Sequence, residues 1–149
     1  MDSAKPVPLR SPRESLGGYL LLPRLIDKVR LLASGQLPQV YAAHVLGSGV
    51  TLDGRFLSFT GLDAEALRQA ILSSRTDTEV LTWVQNHARP TTAMERGAWV
   101  EQIASYRPDA ALMEYRKTAY PKLAARVDVS ILSVLDLIDM DEGRFPIKI

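Results

Sequence analysis

Apolar residues recur along most of this chain at helical spacing, and the breaks between the apolar runs carry the signals of capped helices. After Leu22-Pro23, the residues Leu25, Ile26, Val29, Leu32 and Ala33 share one face, proline takes the first helical position and Gly35 offers a left-handed stop. An amphipathic helix is predicted there. Asp53-Gly-Arg-Phe-Leu-Ser-Phe-Thr-Gly61 reads as a short capped turn of helix carrying Phe56, Leu57 and Phe59. Asp63 then caps residues 64–72, with Leu67, Ala70 and Ile71 inward. Thr76 with Glu79 has capping-box spacing before Val80, Leu81, Val84 and Ala88, and Thr92 with Glu95 repeats it before Val100, Ile103 and Ala104. Arg89-Pro90 and Arg107-Pro108 end those two helices. Another helix is predicted over 109–120, closed by Pro121, and a last one over 130–141 with Ile131, Leu132, Leu135 and Ile138 inward.

Two stretches break the pattern. Pro6, Pro8 and Pro12 push residues 1–12 toward an extended arm. Val40 to Leu46 fits a strand or a short helix, with a loop at Gly47 and Gly49. The fold expected is therefore mainly α: a single compact domain spanning 1–149, with six or seven short helices, an extended Pro-containing N-terminal arm and at most a minor hairpin near residues 40–52.

Composition narrows the chemistry. At 149 residues and 46% apolar the chain is long enough for a real core, and the absence of cysteine removes disulfides, thiol nucleophiles and thiolate metal sites. The apolar run Tyr19 to Leu22 is too short for a signal-peptide core or a membrane span, so a soluble, cytoplasmic protein is expected. Net charge is +1, which supplies no global field toward nucleic acid or an anionic membrane. The charge is nevertheless uneven. Residues 1–30 hold six cations against three acids, and residues 128–149 hold five acids against two cations.

The residues Leu9-Arg10-Ser11-Pro12-Arg13, Leu16-Gly17-Gly18 and Leu22-Pro23-Arg24-Leu25-Ile26-Asp27-Lys28-Val29-Arg30 form the most specific part of the chain. With Asp53, Arg55-Phe56-Leu57 and Phe59 before Gly61, Leu81-Thr82-Trp83-Val84, and the closing Leu135-Asp-Leu-Ile-Asp-Met-Asp141, the arrangement resembles a bacterial family known as domain of unknown function 5069. The resemblance spans nearly the whole chain and is loose through 36–50. It implies a shared fold and core; because the family has no assigned reaction, it implies no catalytic residue.

Arg24 is the sharpest single oddity, since a cation in a first helical turn faces the positive end of the helix dipole and calls for an anion. Asp27 at i+3 or Glu14 would answer it structurally. A bound phosphate or carboxylate, held by the helix start after Gly17-Gly18 and by Arg10, Arg13, Arg24, Lys28 and Arg30 around Asp27, would answer it functionally. The carboxy-terminal acids Asp136, Asp139, Asp141 and Glu142 pose the mirror question, the last three lying at the negative end of their helix. They could pair with the basic segment and join the chain's two ends. A calcium loop is excluded, because the glycine of Asp139-x-Asp141-x-Gly143 comes one residue early and the closing glutamate is missing. No metal or cofactor is implied.

His44 and His87 are the only histidines, and no triad or zinc spacing can be drawn around them. Trp83 and Trp99 read as core or interface aromatics, with only Arg89 and Arg96 near enough to make a stacking platform for nucleic acid. Arg116, Lys117, Lys122 and Arg126 could form a basic stripe, but the neutral total and missing helix-turn-helix signature disfavour nucleic acid as a partner. The expectation is a binding or protein-interaction module whose surface lies around residues 10–30, taking a small anionic ligand or a protein partner. The alternative is an enzyme acting on a phosphorylated or carboxylated metabolite, with Asp27 as acid/base and the arginines as anion clamp.

Overall fold

The computed structural model describes residues 9–42, 45–46, 51–106 and 110–144. Most of the arm, His44, the glycines at 47 and 49, and the Arg107-Pro108 break lie outside them. The fold is mainly helical, with one two-stranded antiparallel hairpin. Strands β1 (Ser15–Leu16) and β2 (Tyr19–Leu20) pair Ser15 with Leu20 and Leu16 with Tyr19 across Gly17-Gly18. Both glycines have positive φ, and a Cβ on Gly17 would sit 2.5 Å from Leu81 Cδ1, so a side chain there would be strained and would have to displace Leu81.

The helices follow in order: α1 (Leu22–Ala33), α2 (Gln39–Ala42), α3 (Leu52–Thr60), α4 (Ala64–Ser73), α5 (Asp77–His87), α6 (Ala93–Ala104), α7 (Ala110–Ala119), α8 (Pro121–Ala124) and α9 (Val134–Asp141). Caps account for most of their starts. Asp63 accepts from Ala66 N, and Thr92 with Glu95 forms a complete capping box. Thr76 accepts from Glu79 N, but Glu79 meets the Thr76 hydroxyl at 3.4 Å, so only the threonine half of the second box is made.

Three local readings are corrected. The cap of α3 is Thr51, which accepts from Gly54 N; Asp53 lies inside the helix and is buried. Pro121 both closes α7 and opens α8, because proline is compatible with a first helical turn. The last predicted helix is two elements. A 3-10 turn, Val129–Ile131, is capped by Asp128, and α9 begins afresh with Ser133 accepting from Asp136 N. The break turns Ile131 outward to 63% exposure, while Leu135, Leu137 and Asp139 face inward. In the 40–52 stretch, Gln39–Ala42 is a single helical turn; the observed hairpin lies in the continuation of the arm.

The core gathers around α1, whose Leu22, Leu25, Ile26 and Val29 pack with Phe56, Leu67, Ile71, Val80, Val84, Trp99, Ile103 and Leu135. Tyr19 and Trp99 meet Phe56 edge-on, and Trp99 stacks on Phe59 at 4.6 Å between ring centroids. A second cluster of Leu123, Val129 and Leu137 lies under α8 and α9. Arg116, read from sequence as part of a basic stripe, is instead buried and donates to the carbonyls of Val129 and Leu132, holding α7 on the 3-10 turn. No helix among the described residues is long and apolar enough to cross a membrane.

Candidate functional site

The basic segment and the carboxy-terminal acids converge at the start of α1. Leu21 precedes that helix with φ +75°, a left-handed conformation costly for a β-carbon-bearing residue, and it provides no side-chain cap. Complete burial of its neighbours Leu20 and Leu22 holds it there. The geometry turns Arg24 and Lys28, one helical turn apart, toward the same interior region, and both are buried.

Arg24 makes a two-pronged ion pair with Glu142, at 2.9 Å from Nη1 to Oε1 and 2.7 Å from Nη2 to Oε2, and also donates to the Arg10 carbonyl at 3.1 Å. Neither Asp27 nor Glu14 is its partner. Asp27 is claimed by Arg10, which donates to it from its backbone N–H at 2.8 Å and from its guanidinium at 3.0 Å. The Arg10 guanidinium also reaches Asp77 at 2.5 Å, where Arg30 adds a longer pair at 3.8 Å. Arg13 pairs with Asp136 and lies 3.3 Å from Asp139, whose oxygens also accept from the Ser11 hydroxyl at 2.8 and 3.0 Å. Arg144, just past α9, bonds Asp139, Glu142 and the Leu9 carbonyl, a cation answering the negative end of that helix.

Deeper in, Lys28 Nζ meets Asp53 Oδ1 at 2.6 Å, and Asp53 Oδ2 accepts from Leu46 N at 2.8 Å. Leu46 is the second non-glycine residue with positive φ, at +53°. The Tyr41 hydroxyl donates to Glu142 at 2.8 Å, and the Arg24 guanidinium lies over the Tyr41 ring at 5.7 Å. Of the six candidate residues, Arg10, Asp27 and Arg30 gather around Asp77, Arg13 and Arg24 pair with acids in or just past α9, and Lys28 pairs apart with Asp53. Sequence spacing did not point to their partners Asp53, Asp77 and Tyr41, since these are brought in by tertiary packing alone.

Burial and pairing work against each other on these groups. Burial opposes the Arg24 charge, yet the hydrogen bonds and charge of Glu142 prevail and raise its pKa. Glu142 is likewise opposed by burial and held below the usual glutamate value by Arg24, Arg144 and Tyr41. Lys28 goes the other way: burial outweighs Asp53 and lowers its pKa. Burial and Glu142 together push the Tyr41 phenol up, while Arg10 holds Asp77 down.

The two depressed carboxyls set an acid limit. An unfolded glutamate or aspartate binds a proton at its ordinary value, 4.5 or 3.8, whereas folded Glu142 and Asp77 bind theirs at lower pH. Their contribution to stability is therefore complete above those values and is lost as pH falls through the folded ones. Thermal midpoints recorded from about pH 6 down to about pH 3 are expected to fall steeply, and less steeply in Glu142→Gln.

These ion pairs form a mesh of three groups: Arg10 and Arg30 with Asp27 and Asp77, Arg13, Arg24 and Arg144 with Asp136, Asp139 and Glu142, and Lys28 with Asp53. Six cations, Arg10, Arg13, Arg24, Lys28, Arg30 and Arg144, meet six carboxylates, Asp27, Asp53, Asp77, Asp136, Asp139 and Glu142. It joins residues 10–13 and α1 to α3, α5 and α9, and its formal charge is balanced. No curated protein matches the chain. A family model does, over residues 7–144, a span that contains every member of the mesh. The chain belongs to the family described as Domain of unknown function (DUF5069).

Proposed function

We propose that the chain is a non-catalytic binding module, working as one domain, in which the basic segment 10–30 serves as an internal clasp under the binding surface. The observation that carries this reading is the balance of the mesh: each cation from Arg10 to Arg30 faces a carboxylate of the same chain, Arg30 through a longer 3.8 Å pair that leaves its buried Nη2 without a hydrogen bond among the described residues. An anion clamp requires uncompensated positive charge. An acid/base needs a proton-transfer group open to substrate, but both oxygens of Asp27 accept from Arg10 and Lys28 is buried against Asp53. These pairings favour the module over the metabolite enzyme.

Thermal melts against phosphate, citrate, malate and glucose 6-phosphate separate the two readings. A module with a closed clasp shows no rise in midpoint with any of them, and Arg24→Ala lowers the midpoint by the same amount with or without the anion. A rise that disappears in Arg24→Ala would replace the module by an anion site.

A further inference from the structure

The connection between α4 and α5 is short, and the two helices leave a surface groove of about 530 Å³ between them. It is lined on one side by Gln69 and Ser73 and on the other by Glu79, Thr82, Trp83 and Asn86. Small residues, Ala66 and Ala70, keep the space open. None of the lining residues is cationic, so the groove has nothing to neutralise a phosphate or a carboxylate. Of the nearby arginines, Arg68 pairs with Glu65, Arg89 donates to the Phe59 carbonyl and Arg96 to Thr91, and Arg75, which follows Ser74, is not among the lining residues.

The groove instead holds one aromatic surface and a set of neutral hydrogen-bonding groups. Trp83 is half-buried and stacks on His87 at 4.3 Å and 17°, with His87 Nδ1 2.8 Å from the Trp83 carbonyl, so its indole is held in one orientation. The Ser73 hydroxyl donates to the Gln69 carbonyl at 2.6 Å and Thr82 donates to the Thr78 carbonyl at 3.0 Å. Their protons are committed to their own helices, which leaves the oxygens as acceptors. Glu79 adds a carboxylate. Asn86 makes no side-chain hydrogen bond with any described residue and presents both donors and an acceptor.

We infer that this groove binds a neutral carbohydrate, with a sugar ring against the side of the Trp83 indole that His87 leaves uncovered and its hydroxyls shared among Glu79, Thr82, Ser73 and Asn86. A sugar ring has an apolar C–H face and a rim of O–H groups that donate and accept. That pattern matches an aromatic side chain edged by acceptors and one free amide. The inference rests on the reading of the chain as a binding module and supplies its ligand class.

The test uses the full chain and a panel of methyl α-D-glucopyranoside, methyl β-D-galactopyranoside, maltotriose and chitotriose. Binding is read by tryptophan fluorescence and by backbone amide shifts. Trp83→Phe, which retains Trp99, assigns the fluorescence change to Trp83. At least one sugar is expected to give a saturable change with shifts confined to α4 and α5, and Asn86→Ala, an exposed position, should weaken it about tenfold. Trp83→Phe, which keeps an aromatic ring against the core, should weaken it several-fold. No saturable change with any of the four, or a change that Asn86→Ala leaves intact, overturns the inference. The anion melts stay independent: they can unseat the module reading while saying nothing for a sugar, and a sugar failure leaves the clasp untouched.

Discussion

Arg24→Ala is expected to destabilise the folded chain by about 3–5 kcal/mol, because it strands Glu142 at 8% exposure without its main partner. For a chain of this length that corresponds to a fall in thermal midpoint of about 10 °C or more. The loss comes from the uncompensated charge more than from the pair's own attraction, since desolvating two ions offsets most of what they gain by meeting. The double variant Arg24→Met with Glu142→Leu should therefore recover most of it. A residual cost of about 1 kcal/mol is expected from the Tyr41 hydroxyl, which loses its acceptor. Urea unfolding of the wild type, the single and the double variant measures all three. A double variant as unstable as the single one would mean that the pair contributes geometry that apolar side chains cannot replace.

The second large effect is at Asp53→Ala, again about 3–5 kcal/mol near neutral pH, because Lys28 loses the one carboxylate at hydrogen-bond distance and Leu46 N loses its acceptor. This effect should depend on pH. Burial already holds the Lys28 amine below its ordinary 10.5, and removing Asp53 lowers it further. Between the folded value and 10.5 the unfolded chain binds more protons than the folded one, so stability rises with pH across that window. The window is wider in the variant, and its deficit against wild type should shrink between about pH 7 and about pH 10. Lys28→Met in the Asp53→Ala background should abolish the pH dependence. A deficit constant with pH would show that the buried amine stays charged without its partner.

These two pairs show where sequence reasoning reached and where it stopped. Arg24 in a first helical turn and Glu142 at a helix end each signal a need for opposite charge, because the helix dipole is a local property. The identity of the partner is not local. Asp27, three residues along the same helix, was the natural candidate for Arg24, but Arg10 arrives from the preceding segment with a backbone N–H and a guanidinium and occupies it. Residues 53–61 read as a short capped turn of helix; Thr51 supplies the cap, and Asp53 is buried against Lys28. The groove beside Trp83 was not legible either, because its two walls come from separate helices and depend on how closely Ala66 and Ala70 let them approach.

The sequence alone therefore determined most of the longer helices, the caps Asp63, Thr76 and Thr92, and the family, because each rests on neighbours within a few residues and on side-chain periodicity. Only the tertiary structure decided that the basic segment is neutralised from within, since Arg24 and Glu142 lie 118 residues apart and Ser11 and Asp139 lie 128 apart. Packing of α1 into the core turns Arg24 and Lys28 inward, and in a low-dielectric interior a charge must find a partner wherever along the chain one can be brought.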